Sequence, residues 1–274
     1  MKKSLIFFIL ITAINCNDMK DTSGYADVNG MNMYYEIHGK GRPIILLHGG
    51  GSTIQTTFGR IIDDIAKDRK VIAVELQAHG HTSDRDKDLS FEQDADDVAE
   101  LMKQLHIESA DIFGFSNGAT TAIQLAIRHP EKVRKVIAAS GLFKKDGAFP
   151  GFWDMMQSAT LKDMPQELKS AFMEINNDSS RLLVMHDRDL KRMRTFTDIS
   201  DADLRSIKAP VLLTNGEHDV ATHEHINEIS RLIPNCQVMF FPGGHGDYLG
   251  EIAAPTRNDK EFPIMPALNE FLKD

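Results

Sequence analysis

A serine, an acid and a histidine follow one another along this 274-residue chain, each within three residues of a glycine. Ser116 lies in Gly114-Phe115-Ser116-Asn117-Gly118, after a short strand-like stretch at 110–113 and before a helix-like stretch at 119–128. A serine raised on a sharp strand-to-helix turn needs bare positions two before and two after it, and both are glycine here. A hydroxyl becomes a useful nucleophile only when a base takes its proton. His245, in Gly243-Gly244-His245-Gly246, is the expected base. Asp219, in Gly216-Glu217-His218-Asp219, is the expected acid that orients it, with Glu217 the nearest competitor. Attack on an acyl carbon also needs N–H donors for the oxyanion, worth on the order of 3 kcal/mol each. The glycine loop His48-Gly49-Gly50-Gly51 and the elbow supply them: the expected pair is the amides of Gly50 and Asn117, with Gly51 a near rival. His48 is expected to brace that loop rather than act as a base.

Other chemistries fit less well. His79 and His81, or His218, His223 and His225, carry no recognisable zinc-ligand spacing, so no metal and no cofactor is expected. Cys16 and Cys236 are the only cysteines, which excludes a disulfide framework and a cysteine-based zinc site. Cys236 reads as a small core residue. With 31 Lys+Arg against 40 Asp+Glu the formal charge is −9, and no Lys/Arg-rich run is present. That argues against nucleic acid as a partner; the small-molecule acyl substrate is expected from the serine chemistry above.

These residues need a scaffold that brings distant loops together. Apolar runs at 44–47 and, but for Glu75, at 71–76 predict strands buried on both faces, a further buried strand is expected at 133–139, and other strands at 110–113, 210–214 and 236–241. Helical spacing of Phe91, Ala95, Val98, Met102 and Leu105 follows a Ser90-x-x-Gln93 capping box. Further helices are expected at 119–128, 222–233 and 265–272. Strands alternating with helices imply an α/β fold with a mainly parallel sheet and helices on both faces. Asn29-Gly30 between apolar runs predicts an antiparallel N-terminal hairpin over 25–37. In such a sheet the loops after the strands share one edge, where Ser116, Asp219 and His245 would meet.

Residues 142–205 differ in texture. This stretch has weak strand signals and holds six of the thirteen methionines, together with Phe143, Phe149, Phe152, Trp153, Phe172 and Phe196. It is expected to be a small helical lid. Its thioethers and aromatics suit either an adaptable apolar pocket or the packing of the lid itself.

The N-terminus reads as an address. Lys2 and Lys3 precede ten apolar-rich residues, 5–14, too few for a spanning helix of about 20 residues. Ala13-Ile14-Asn15-Cys16 resembles a relaxed bacterial lipobox, which implies a signal peptide over 1–15, lipidation of Cys16, a polar linker over 16–24 and an exported, membrane-tethered hydrolase over 25–274. Simple secretion is the alternative. Removal of residues 1–15 takes away Lys2 and Lys3 and no acid, moving the charge from −9 to −11.

From residue 25 onward the chain resembles the α/β-hydrolase superfamily. The loop at 48–51, Val71 to Ser83, the elbow at 114–118, and the segments 216–219 and 243–246 carry the likeness. The resemblance implies a Ser116–His245–Asp219 triad. Relatives acting on haloalkanes and epoxides use Asp where this chain has Ser116. Epoxide hydrolases also need lid tyrosines, and Tyr25, Tyr34, Tyr35 and Tyr248 all fall outside 142–205. Proline iminopeptidases typically carry Trp at the position of Asn117. Carbon–carbon bond hydrolases usually continue the first loop with Gly-Pro, where Ser52-Thr53 stands. The esterases and cofactor-free haloperoxidase-like enzymes remain, and the resemblance implies a carboxylic-ester hydrolase. Thioester, lactone or amide cleavage, perhydrolase-like activity, or ligand binding without turnover are the alternatives.

Overall fold

The computed structural model describes residues 22–254 and 262–273. The expected signal peptide and Cys16 lie outside them. Eight strands and ten α-helices occur among the described residues, in the order β1 (Thr22–Val28), β2 (Met31–His38), β3 (Arg42–Leu47), α1 (Ile54–Phe58), α2 (Ile62–Ala66), β4 (Arg69–Val74), α3 (Phe91–Gln104), β5 (Ala110–Phe115), α4 (Asn117–Arg128), β6 (Val133–Ala139), α5 (Phe152–Ser158), α6 (Gln166–Asn176), α7 (Ser179–Arg194), α8 (Asp201–Ser206), β7 (Val211–His218), α9 (His223–Leu232), β8 (Cys236–Gly244) and α10 (Ile264–Phe271). They form one sheet of order β1-β2-β4-β3-β5-β6-β7-β8. β1 pairs antiparallel with β2, and β2 antiparallel with β4, while β3 through β8 are parallel.

Alternation along the central strands explains the continuous apolar runs. Ile45 and Leu47 face a core shared with α3, α4 and α9. Ile44 and Leu46 face a second core shared with α1, α2 and α10. Both faces are covered, so neither needs polar residues. On α3 the predicted stripe of Phe91, Ala95, Val98 and Met102 is buried. Ser90 Oγ accepts from Gln93 N, as a cap should, but the reciprocal half of the box is absent. Gln93 Nε2 turns instead to the buried Asp97 carboxylate at 3.0 Å, which also holds Arg85.

The hairpin turn is the expected one, with φ of 47° at Asn29 and 84° at Gly30. Its first strand starts earlier than expected, at Thr22 rather than Tyr25, so the end of the predicted polar linker is sheet. Ladder pairing explains the difference. β2 is eight residues long and offers partners as far as Ile37 for Thr22, and an edge strand with an exposed side tolerates polar residues.

Between β6 and β7 the chain leaves the sheet and builds α5 through α8, where the lid is expected. Ala78, Phe172, Leu182 and Met185 form a small apolar cluster under it. Asn176 Nδ2 donates to Gly80 O at 2.7 Å, and Arg188 pairs with Asp84 at 2.6 Å and Asp86 at 2.9 Å.

Candidate active site

β5 ends at Phe115 and α4 begins at Asn117, leaving Ser116 as the whole of the turn. Its backbone has φ 54° and ψ −119°, a conformation that costs a non-glycine residue on the order of 1–3 kcal/mol. The turn closes so tightly that a Cβ on Gly114 would lie 2.0 Å from Gly118 O. A Cβ on Gly118 would lie 2.1 Å from Leu47 O on the adjacent β3. Ser116 N donates to Ala139 O at 2.8 Å, carrying the sheet ladder into the elbow.

The loops after β7 and β8 bring up the other two residues. His245 Nε2 lies 3.0 Å from Ser116 Oγ, and His245 Nδ1 lies 2.6 Å from Asp219 Oδ1. The Asp219 side chain has no exposure to solvent. Besides His245, Oδ1 accepts from Val220 N at 2.7 Å, while Oδ2 accepts from Gly216 N at 2.9 Å and Ser140 Oγ at 2.5 Å. Burial pushes the Asp219 carboxyl up, but the charge of His245 and these donors outweigh it and hold it below the usual carboxylate range. The same pairing works in reverse on His245. Burial lowers it, and Asp219, with smaller help from Glu251 and Asp247, raises it above the ordinary histidine value. Glu217, the competing acid, is exposed on β7.

The glycine loop follows β3 and faces the elbow. His48 is buried, and its Nε2 accepts from Leu76 N at 3.0 Å, so its Nδ1–H donates to Gly49 O at 2.7 Å. Burial drops its pKa to about 3. It is a neutral brace, as expected. Because the Gly49–Gly50 peptide is trans, fixing Gly49 O also fixes the opposite-facing N–H of Gly50. No acceptor among the described residues takes that N–H. Asn117 N–H is the first amide of α4, which has no partner within its helix. Gly51, the rival donor, is engaged: its N–H donates to Asp189 Oδ2 at 2.6 Å.

Two cavity lobes meet at Gly50 and Asn117, with Met155, Met156 and Met193 in the wall of both. One, of about 470 Å³, contains Ser116 and His245, with Phe115, Ser140, Val220 and Glu251 in its wall. The other, of about 310 Å³, lies under the lid and is lined by Met155, Met156, Met164, Met185 and Met193. Both expected uses of the lid methionines are present: Met185 is fully buried in the lid cluster, and it also walls a cavity with the others.

Several site residues carry no local sequence signal. Ser140 follows β6 with φ 54° and joins Asp219 to the buried Tyr248, whose hydroxyl lies 2.8 Å from Ser140 Oγ. Glu251 is buried beside His245, and burial raises its carboxyl to about 7. The histidines considered as metal ligands have separate partners: His79 meets Asp189, His81 meets Glu75, and His225 accepts from Phe143 N. No cluster of three or more metal-ligating residues occurs among the described residues. Cys236 is half-buried on the edge strand β8, where burial pushes its thiol up to about 12.

The alpha/beta hydrolase fold family matches residues 42–177. The chain is 31% identical over 238 residues to serine hydrolase BPHL of Homo sapiens, covering 81% of this chain and 79% of that protein. It is 36% identical over 103 residues to the 2-hydroxymuconate semialdehyde hydrolase of Pseudomonas sp. (strain CF600), a match spanning 36% of each chain. Among solved structures, carboxylesterase CesB from Bacillus subtilis superposes with a TM-score of 0.70 at 19% identity, covering 93% of this chain and 92% of that one.

Proposed function

The chain belongs to the α/β-hydrolase family, and we propose that it cleaves carboxylic esters through an acyl-enzyme on Ser116. The observation that carries this reading is the hydrogen-bond series Asp219–His245–Ser116 on a strained elbow, beside two amides free to take an oxyanion. Ser116 Oγ attacks the acyl carbon while His245 Nε2 takes its proton. Asp219 keeps the other ring proton on Nδ1 and stabilises the imidazolium. The tetrahedral oxygen lies between the N–H groups of Gly50 and Asn117. His245 then returns the proton to the departing alcohol, and water repeats the sequence to release the acid and restore Ser116.

The two lobes divide the substrate. The leaving oxygen must reach His245 Nε2, so the alcohol occupies the lobe that contains His245. The methionine-lined lobe contains both oxyanion residues but neither Ser116 nor His245. It suits the acyl chain, which points away from the base. An apolar wall of thioethers favours an unbranched hydrocarbon chain, each buried CH₂ being worth ~0.8 kcal/mol. The test is a series of p-nitrophenyl esters from acetate to octanoate, run beside a lactone and a thioester. kcat/KM is expected to rise about fourfold per methylene until the lobe is full, and Ser116→Ala to abolish it. Turnover of the lactone or thioester with none of the esters would reassign the substrate class.

Residues 1–16 support a further part of the proposal: the enzyme is exported and tethered to a membrane through lipidated Cys16, with free secretion as the competing outcome.

A further inference from the structure

We infer that Asp189, carried on lid helix α7, is a positioning residue that sets the oxyanion loop, so that a seated lid and a competent oxyanion hole are one state. The inference rests on the acyl-enzyme reading above. Asp189 reaches across the cavity edge to donors on two other segments. Its Oδ2 accepts from Gly51 N at 2.6 Å and lies 2.8 Å from His79 Nε2, while Oδ1 accepts from Arg192. His79 has a carbonyl, Gln77 O, 2.8 Å from its other nitrogen. Burial lowers His79, and the Asp189 carboxylate outweighs it and raises the ring above the ordinary histidine value. Arg192 continues the chain to Asp94 on α3 at 2.6 Å, its guanidinium centre 4.7 Å from the Phe91 ring centroid. All four charged groups are buried.

The consequence falls on Gly50. The peptide before it is fixed through Gly49 O, which accepts from His48 Nδ1 and from Ser52 N at 3.3 Å. The peptide after it is fixed through Gly51 N, whose short contact at 2.6 Å is to the charged acceptor on the lid, with His79 Nε2 farther off at 3.2 Å. If α7 lifts, that second restraint goes with it, and Gly50 N–H loses its aim. Simple anchoring of the lid does not require this contact. Arg188, the preceding residue, already ties α7 to Asp84 and Asp86, outside the cavity lining. Arg192 already has Asp94.

Comparing Asp189→Asn with Arg188→Gln separates the two roles. Asn keeps the shape but removes the charge that holds Gly51 N, whereas the Arg188 change loosens the lid without touching the loop. Asp189→Asn is expected to lower kcat for p-nitrophenyl butyrate by 10–100-fold with KM within threefold. Affinity for an alkyl boronic acid, whose tetrahedral adduct places an oxygen in the hole, should fall by a similar factor. Arg188→Gln should leave kcat and boronate affinity within twofold. Hydrogen exchange read on the peptide containing Gly51 should quicken at least tenfold in Asp189→Asn and not in Arg188→Gln. Equal effects of the two variants on kcat and boronate affinity, or unchanged Gly51 exchange in Asp189→Asn, would overturn the inference. If wild-type protein turns over no ester, the acyl-enzyme reading fails, and the exchange comparison still decides the role of Asp189. Should Asp189→Asn not fold, Asp189→Glu, which keeps the charge but displaces the carboxylate from Gly51 N, carries the same comparison.

Discussion

Replacing Asp219 with asparagine exchanges one oxygen for an NH₂, and the surrounding donors set the outcome. The carboxylate accepts from Val220 N and His245 Nδ1 at one oxygen, and from Gly216 N and Ser140 Oγ at the other. With the amide oxygen facing Gly216 and Ser140, the NH₂ opposes Val220 N–H and donates to His245 Nδ1. The ring proton then moves to Nε2 and points at Ser116, which disables the base. With the amide turned over, His245 keeps its working tautomer, but the NH₂ opposes Gly216 N–H and the imidazolium loses its counter-charge. Either way one backbone N–H loses its acceptor, costing about 1–3 kcal/mol of stability. The barrier to acylation should rise by ~5 kcal/mol, a loss on the order of 10⁴ in kcat. Initial rates with p-nitrophenyl butyrate, alongside thermal unfolding, measure both effects. A fall of less than tenfold, or a greater loss from Glu217→Gln, would refute the assignment of the acid.

The remaining predictions concern protons and the leader. Because Asp219 outweighs burial and raises His245, kcat/KM should increase with pH and reach half its plateau above the usual histidine value of ~6.5. Glu251→Gln removes a nearby negative charge and should move that midpoint to lower pH; an unmoved pH–rate profile would contradict the coupling. Glu251 has a folded pKa of about 7, above an unfolded value of ~4.3. Folded protein therefore binds more protons in that window, and wild-type stability falls as pH rises through it. The Gln variant should melt higher than wild type at pH 8 and at the same temperature at pH 4. Cys16→Ser should shift the protein from the detergent to the aqueous phase with unchanged turnover; wild type already in the aqueous phase when made in a bacterial host would favour free secretion.

The parts legible in the sequence are those specified within a few neighbouring residues. A strand buried on both faces is apolar at successive positions, which marks the centres of β3 through β7, whereas the edge strand β8 is exposed at alternate positions, Gln237 and Met239. The elbow shows through Gly114 and Gly118, because backbone presses on both sides of Ser116. Loop placement then follows from a parallel sheet, which is why Asp219 and His245 can be paired with Ser116 from chain order alone. The oxyanion donors narrow only to Gly50 or Gly51, since glycine spacing does not reveal which N–H is already engaged. That answer comes from Asp189, 138 residues away from Gly51 along the chain. The Asp189–His79 pair spans 110 residues, and an Asp in the charge-rich stretch 187–192 of a lid helix looks like a solvated surface residue. Ser140, Tyr248 and Glu251 are silent in the sequence for the same reason: their roles are set by what tertiary packing places beside them. At Gln93 a local motif loses its second half to a stronger partner, the Asp97 carboxylate.

The central claim is that Ser116 is a nucleophile activated by His245. Intact-mass analysis after incubation with a fluorophosphonate tests it most directly. One adduct per chain, mapped to the peptide carrying Ser116 and lost in both Ser116→Ala and heat-unfolded protein, is the predicted result. A folded wild-type protein that stays unmodified, or that is labelled at another residue, would contradict the account.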